Sequence, residues 1–210
     1  MKDEMEEKIL LYASDRFFKR DLKMTMESVA KELSISKKTL YKYFKNKDDL
    51  LNGVATMFKK DIADKFESTF KEEKDSFFAF CKVFAYLALK MGLNMDNYFI
   101  IDLQRVYPKL WKGFSDFRIE QINKYFPIII TSGIKNGYIR KDVNTQIAFM
   151  MFFVAVNNIV TPESLKDLSL SPKEAIKEIL TIFIYGITTQ QGKVKFNKHL
   201  KNIFEVTNEK

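Results

Sequence analysis

Cysteine, proline, glycine and histidine are all scarce in this sequence of 210 residues. The single cysteine, Cys81, excludes a framework of intrachain disulfides and fits a reducing cytosol. Seven glycines and four prolines are few for an all-β protein, which needs turn residues about every 8–12 positions. Long apolar stretches at helical spacing fill the chain between them, so we predict an all-α fold.

Several functional signatures are missing as well. The densest apolar run, residues 148–156, is far shorter than the ~20 residues that a membrane-spanning helix requires. The N-terminal residues 1–8 are charged and have no apolar segment behind them, unlike a signal peptide. The sequence has no glycine-rich phosphate loop and no metal-spaced histidines, and the only histidine, His199, has no evident catalytic partners. We therefore expect a cytoplasmic protein that is not an enzyme, with no metal, no cofactor and no membrane partner.

The charge pattern indicates a polyanionic partner. The formal net charge is +8, while 46% hydrophobic and 30% charged residues are an ordinary globular balance. A basic balance alone fits both nucleic acid and an acidic membrane surface. Between Ser34 and Lys47, however, five lysines occur without an acidic residue, which indicates a local basic face.

Apolar spacing predicts three short helices within residues 1–50. The second helix follows Thr25, a predicted N-cap, and a four-residue connection at 34–37 leads to the third. Asn46 is the predicted N-cap of a fourth helix, with Asp49 in the capping-box position. Two short helices joined by a tight turn form a helix-turn-helix, whose second helix enters the DNA major groove.

The most informative segment is residues 25–51, TMESVAKELSISKKTLYKYFKNKDDLL. It has a threonine before a short helix, V-A near the middle of that helix, a turn that ends in Ser36, and T-L-Y-x-Y-F-x-N-K-x-x-L from Thr39 onward. With these features it resembles the TetR family of transcriptional regulators. The resemblance implies a three-helix DNA-binding domain at 1–50 and a larger helical domain for ligand binding and dimerisation at 51–210.

The resemblance also implies roles for individual residues. Phosphate contacts fall on Thr25, Tyr43 and Lys47. Further DNA contacts fall at the exposed start of the recognition helix, on Ser36, Lys37, Lys38, Thr39, Tyr41 and Lys42. Lysine and hydroxyl groups suit phosphate oxygens, whereas only groups that reach base edges read the sequence.

The basic helix has a second interpretation, as a solvated lysine-rich face. The helix-turn-helix pattern and the interleaved aromatic residues favour DNA binding instead. We expect Phe44 to belong to the core, and Tyr41 to pack, to touch a base, or both. Many relatives have glycine in place of Ser34 and Lys38, so a relative's operator sequence should not be transferred to this chain.

Helix boundaries are also marked in the remainder of the chain. Pro108 and Pro127 are each predicted to begin a helix, because proline is tolerated in a first turn and breaks an interior. Gly137 is predicted to end the helix that Pro127 begins. The run Ser171-Pro172-Lys173-Glu174 is a strong start signal, with an N-cap serine, proline at the first helical position and a capping-box glutamate.

The resemblance further implies a small-molecule pocket in the C-terminal domain, where aromatic and methionine side chains are abundant and suit an apolar ligand. The candidate lining residues are Phe84, Met91, Tyr98, Leu103, Arg105, Trp111, Phe114, Phe117, Met150 and Phe153. For each of them, plain core packing is the alternative. Trp111 and Tyr98 also offer a polar group that could orient a ligand, and Arg105 could pair with an anionic ligand or bridge to Asp102.

For dimerisation we select two long helices, residues 145–159 and 172–187, because both are too apolar to be buried on one side only. The candidate interface residues are Phe149, Phe152, Val156, Ile176, Ile179, Leu180 and Phe183. The alternative is that they form the hydrophobic centre of a monomer.

Together these features predict a homodimeric repressor that binds a palindromic operator in double-stranded DNA. A small apolar or amphipathic effector of unknown identity would release it. One alternative is a DNA-bound organiser or activator of the same fold that needs no ligand. Another is a small-molecule carrier or an enzyme that uses the apolar domain. The basic, amphipathic C-terminal segment 193–201 is predicted to be a solvated helix, and the alternative is that it contacts DNA or a membrane surface.

Overall fold

The computed structural model describes residues 4–19, 21, 23–73, 75–79, 82–83 and 97–205. Within these ranges the chain contains helices and no β-strand, and an isolated antiparallel bridge joins Ile139 and Thr188. The predicted all-α fold class is confirmed. The chain divides into two compact units, Met1–Ile62 and Ala63–Lys210.

The first unit is built from short amphipathic helices. They are α1 (Glu4–Phe18), α2 (Met26–Glu32), α3 (Lys37–Tyr43) and the first part of α4 (Lys47–Glu72). Apolar side chains at helical spacing form its core, among them Ile9, Leu10, Ala13, Phe17, Val29, Ala30, Leu40, Leu50 and Leu51. The three predicted short helices and the fourth helix that follows them are confirmed.

The division of the chain into two units falls within helix α4, between Ile62 and Ala63. Our sequence-based boundary, between residues 50 and 51, lies about three helical turns earlier. Capping and proline signals in the sequence indicate where a helix starts. They do not indicate where, within a long helix, one compact unit ends and the next begins.

The second unit contains helices of seven to 28 residues. They are α5 (Asn97–Val106), α6 (Pro108–Lys135), α7 (Thr145–Ile159), α8 (Pro162–Leu168), α9 (Pro172–Ile187) and α10 (Gln190–Glu205). None of the helices in the described part of the chain is both long enough and apolar enough to cross a membrane.

Side-chain caps set the starts of α7 and α9. The Ser171 hydroxyl accepts a hydrogen bond from the Glu174 N–H at 3.2 Å, and the Glu174 carboxylate accepts one from the Ser171 N–H at 2.8 Å. This is the predicted capping box, with Pro172 at the first helical position. At α7 the Asn144 side chain accepts hydrogen bonds from two N–H groups of the first turn, both at 3.1 Å.

The prediction that Pro127 begins a helix is wrong, because Pro127 lies inside α6. An interior proline leaves the carbonyl four residues earlier without its donor, which normally breaks a helix. Here that carbonyl belongs to Asn123, and both Asn123 and Pro127 are exposed, so solvent can supply the missing hydrogen bond. The other two predictions are confirmed: Pro108 begins α6, and Gly137, with φ of +72°, follows its end.

An aromatic cluster joins α6, α7 and α9 in the core of the second unit. The ring centroids of Phe126, Phe152 and Phe183 lie 5.0 to 6.2 Å from one another. These separations are typical of favourable aromatic pairs. The cluster fixes the relative positions of the three helices.

Hydrogen bonds also connect the chain segments that follow α6 and α9. The Thr189 N–H donates to the Tyr138 carbonyl at 2.9 Å, and the Arg140 N–H donates to the Ile187 carbonyl at 2.9 Å. Gly192, in the first turn of α10, lies so close to this junction that an added Cβ would be 2.2 Å from the Tyr138 oxygen. The beginning of α10 is therefore held against the end of α6.

Candidate nucleic-acid interface

Helix α2 is held at its start by a capping box. The Thr25 hydroxyl accepts a hydrogen bond from the Ser28 N–H at 3.1 Å, and the Ser28 hydroxyl accepts one from the Thr25 N–H at 2.9 Å. The predicted N-cap is thus confirmed, with serine as the reciprocal partner. Helix α2 buries Val29 and Ala30 and keeps Thr25 at the surface.

The turn between α2 and α3 passes through a left-handed residue. Ser34 has φ of +54°, a conformation in which glycine avoids a steric cost that other residues bear. This is the turn position at which the resemblance to the TetR family led us to expect glycine. The Ile35 N–H donates to the Ala30 carbonyl at 3.0 Å and closes the turn.

Helix α3 is seven residues long and begins at a serine cap. The Ser36 hydroxyl accepts a hydrogen bond from the Thr39 N–H at 3.0 Å, and the two hydroxyls lie 2.8 Å apart. Leu40 is fully buried, and Phe44, just past the helix end, is 5% exposed, which confirms its predicted place in the core. One face of α3 therefore attaches the helix to the unit, and the other remains free for contacts.

The free face of α3 is basic and aromatic. Lys37, Lys38, Tyr41 and Lys42 are exposed, and Tyr41 keeps 45% of its surface in solvent. The Lys42 ammonium lies 5.7 Å from the centre of the Tyr43 ring, a cation–π distance. Thr39, Tyr43 and Lys47 are half-buried. The structure thus brings the predicted residues of α3 together on one short helix.

The start of α4 is fixed by Asn46 and Asp49. The Asn46 side chain accepts a hydrogen bond from the Asp49 N–H at 2.9 Å, and the Asp49 carboxylate accepts one from the Lys45 N–H at 2.9 Å. The predicted cap is confirmed, although the carboxylate reaches one residue further back than in a standard capping box. Lys47 is the first residue of α4.

One acidic side chain lies beside the basic face, and the sequence analysis did not select it. The Glu27 carboxylate of α2 is 3.2 Å from the Lys37 ammonium of α3. A backbone hydrogen bond, and after it the Lys37 ammonium, lower the pKa of Glu27. The contact joins residues ten positions apart, a spacing that no local sequence pattern predicts.

The predicted pocket residues of the second unit lie in several environments. Leu103 is fully buried, Trp111, Phe114, Phe117 and Phe153 are half-buried, and Met150 is exposed. Arg105 is exposed and forms an ion pair with Asp102 at 3.0 Å, which was the alternative to a ligand contact. Phe84 and Met91 lie outside the described residues, as does the side chain of Tyr98. No group of three or more His, Cys, Asp or Glu side chains that could hold a metal occurs in the described part of the chain.

Helix α6 carries two polar side chains that sequence reasoning missed. Gln121 is buried, and burial lowers the pKa of Arg118. Both lie close in sequence to Phe114 and Phe117 on the same helix. The sequence did contain a signal for these two residues, because both are polar and occur within a stretch of apolar residues at helical spacing.

The predicted interface residues of α7 and α9 are mainly internal to the second unit. Phe152, Val156, Ile179 and Leu180 are buried, Ile176 and Phe183 are half-buried, and the Phe149 side chain lies outside the described set. Among the described side chains of these two helices, the large apolar ones that remain exposed are Ile147, Met150, Met151, Val154, Ile159, Ile182 and Tyr185. Both faces of α7 are apolar, so the sequence alone does not distinguish the two sets.

This chain is similar in sequence and in fold to known transcriptional regulators. Residues 10–54 match the family model described as bacterial regulatory proteins, tetR family. A fatty acid metabolism regulator protein of Bacillus subtilis is 23% identical over 174 residues, which cover 77% of this chain and 84% of that protein. A transcriptional regulator from Cytophaga hutchinsonii has a similar structure, with a TM-score of 0.66 and 19% identity over 89% of this chain and 100% of that one. The transcriptional regulator FadR from Bacillus subtilis, solved with stearoyl-CoA, has a TM-score of 0.54 and 19% identity over 88% of this chain and 100% of that one.

The left-handed turn residue generates a stability prediction. Ser34→Gly removes a steric cost of roughly 1–2 kcal/mol and adds a smaller entropic one, so we expect the free energy of unfolding to rise by up to ~1 kcal/mol. Ser14→Gly, in the middle of α1, is the matched control and should lower it by about 0.5 kcal/mol. Urea unfolding followed by circular dichroism measures both, and a loss of stability in Ser34→Gly would contradict the account of the turn.

Proposed function

We propose that this chain, a member of the TetR family of transcriptional regulators, is a repressor that binds a palindromic operator as a homodimer and leaves it when an apolar effector binds. The observation that carries the proposal is the exposed basic face of α3, presented on a short helix that is anchored by its opposite side.

The recognition helix suits the major groove. Lys38, Tyr41 and Lys42 project from the side of α3 opposite to the buried Leu40. A helix in the major groove meets both base edges and phosphates, and these side chains can donate to either. In our proposal Thr25, Tyr43 and Lys47 bind phosphates, while the residues that face the groove are Ser36, Lys37, Lys38, Thr39, Tyr41 and Lys42.

The exposed apolar residues of α7 and α9 support a homodimer. Met151 and Ile182 keep 65% and 72% of their surfaces in solvent, and Ile147, Met150, Val154 and Tyr185 on the same two helices are exposed as well. A contiguous exposed apolar patch commonly marks a protein interface. A two-fold dimer would present two α3 helices to half-sites about 34–36 Å apart, or a multiple of that distance.

The effector class follows from similarity and from side-chain chemistry. One relative is a fatty acid metabolism regulator, and one structural neighbour was solved with stearoyl-CoA. Half-buried aromatic residues on α6, namely Trp111, Phe114 and Phe117, offer apolar surface suited to an acyl chain. We therefore propose a long-chain acyl-CoA as the effector.

Lys38→Ala tests the DNA contact. Removing one ammonium group from the basic face should weaken binding to the operator about tenfold, ~1.4 kcal/mol, and reduce the slope of log affinity against log salt by about one. Fluorescence anisotropy with an operator duplex selected from random sequences, across a salt series, measures both quantities. The control Lys166→Ala removes the same charge from exposed α8 and should leave them unchanged. Equal effects of the two substitutions would refute the assignment of α3.

Ile182→Glu tests the dimer. A carboxylate in the apolar patch would have to be desolvated on association, so the variant should be monomeric at micromolar concentration while the unmodified protein is dimeric. Sedimentation equilibrium measures the mass. The control Leu168→Glu changes another exposed apolar residue, on α8, and should stay dimeric. A dimeric Ile182→Glu protein would place the interface elsewhere.

Stearoyl-CoA tests the effector. At micromolar concentration it should raise the melting temperature and weaken operator binding by at least tenfold, because a ligand shifts the equilibrium only through unequal affinity for two states. Coenzyme A without an acyl chain is the control and should change neither quantity. If the acylated compound also changes neither, an acyl-CoA effector is excluded and the alternative of a regulator that needs no ligand gains support.

A further inference from the structure

Glu27 is an acidic residue at the edge of a surface that is otherwise basic. It lies in the first turn of α2, and its carboxylate meets the ammonium of Lys37, the first residue of α3, at 3.2 Å. The two side chains keep 53% and 62% of their surfaces in solvent. The pair therefore lies where our proposed function places the DNA.

This ion pair contributes little to the stability of the fold. Exposed pairs of this kind contribute about 0–1 kcal/mol, because solvent screens them and both side chains lose freedom. The two helices already have buried contacts and capped starts. The significance of Glu27 is instead that it lies beside a lysine that is expected to bind DNA.

We propose that Glu27 is a specificity-determining residue that limits the contribution of Lys37 to sequence-independent DNA binding. This inference rests on the proposed function. In the free protein Glu27 neutralises Lys37, so phosphates of any sequence must displace the carboxylate before the lysine can bind them. The carboxylate itself repels phosphates, and such a repulsive element favours the correct partner over others.

The operator differs from other DNA because its base edges can hold the Lys37 side chain in a fixed geometry. There the hydrogen bonds to the base edges compensate for separating the ion pair, whereas on a wrong sequence only phosphate attraction is available. Glu27 therefore lowers non-specific affinity more than operator affinity. Since each neutralised phosphate contributes a slope of about −0.9 in a plot of log affinity against log salt, Glu27 also makes non-specific binding less dependent on salt.

The test compares Glu27→Gln with Glu32→Gln, which removes the same charge from the exposed end of α2 without breaking a contact to Lys37. Binding is measured with the selected operator duplex and with a scrambled duplex across a salt series. In Glu27→Gln we expect binding to the scrambled duplex to tighten about three- to tenfold and its salt slope to steepen by about one. Operator binding should change less, so the ratio of the two affinities should fall.

The dependence on Lys37 is tested by repeating the comparison in a Lys37→Gln background. If Glu27 acts through Lys37, the change caused by Glu27→Gln should shrink to that of Glu32→Gln. A change of unaltered size in that background overturns the role of the pair.

The remaining outcomes separate the two proposals. If the unmodified protein prefers its operator but Glu27→Gln behaves like Glu32→Gln, or tightens both duplexes equally, this inference is overturned and the proposed function stands. If selection yields no preferred duplex, and the unmodified protein binds all duplexes alike, both are overturned.

Discussion

The structure of the region that we propose to bind DNA depends on anchoring a helix that is too short to be stable alone. Isolated helices shorter than about 12–15 residues are marginal in water, and α3 has seven residues. A helix that enters a groove must also leave most of its side chains uncovered. Helix α3 meets both demands by burying Leu40 completely and by capping its start with Ser36. Side-chain caps also fix the starts of the neighbouring helices α2 and α4.

The second unit differs, since two of its helices, α7 and α9, leave large apolar side chains exposed. Helix α7 buries Phe152 and Val156 on one face while Met151 and Val154 remain in solvent on the other. The buried face is joined to α6 and α9 through the aromatic cluster. The exposed face has no such partner in the described part of the chain, and this surplus supports our proposal of a homodimer.

Interactions between residues a few positions apart could be predicted from the sequence, whereas contacts between residues distant in sequence could not. The capping signals at Thr25, Asn46 and Ser171 act within a few residues, and the helices begin where these signals predict. The prediction at Pro127 is wrong because a proline at the start of a helix and one on an exposed stretch inside it look alike in sequence. The two faces of α7 have the same composition, so only the neighbouring helices decide which is internal. The pair of Glu27 and Lys37 likewise exists only because the turn at Ser34 brings α2 and α3 together.

Different residues of α3 hold the helix in place and face the solvent, and this separation affects how the sequence of such a protein can diverge. Ser36 caps the helix and Leu40 anchors it, so changes at these positions threaten the fold itself. Lys38 and Tyr41 point away from the core, and their replacement would leave the packing around Leu40 intact. In our proposal these side chains contact DNA, so mutations there that arise after a gene duplication can alter the preferred DNA sequence while the domain remains folded. Under that proposal, a protein of this fold can acquire new target genes through a series of variants that all remain folded.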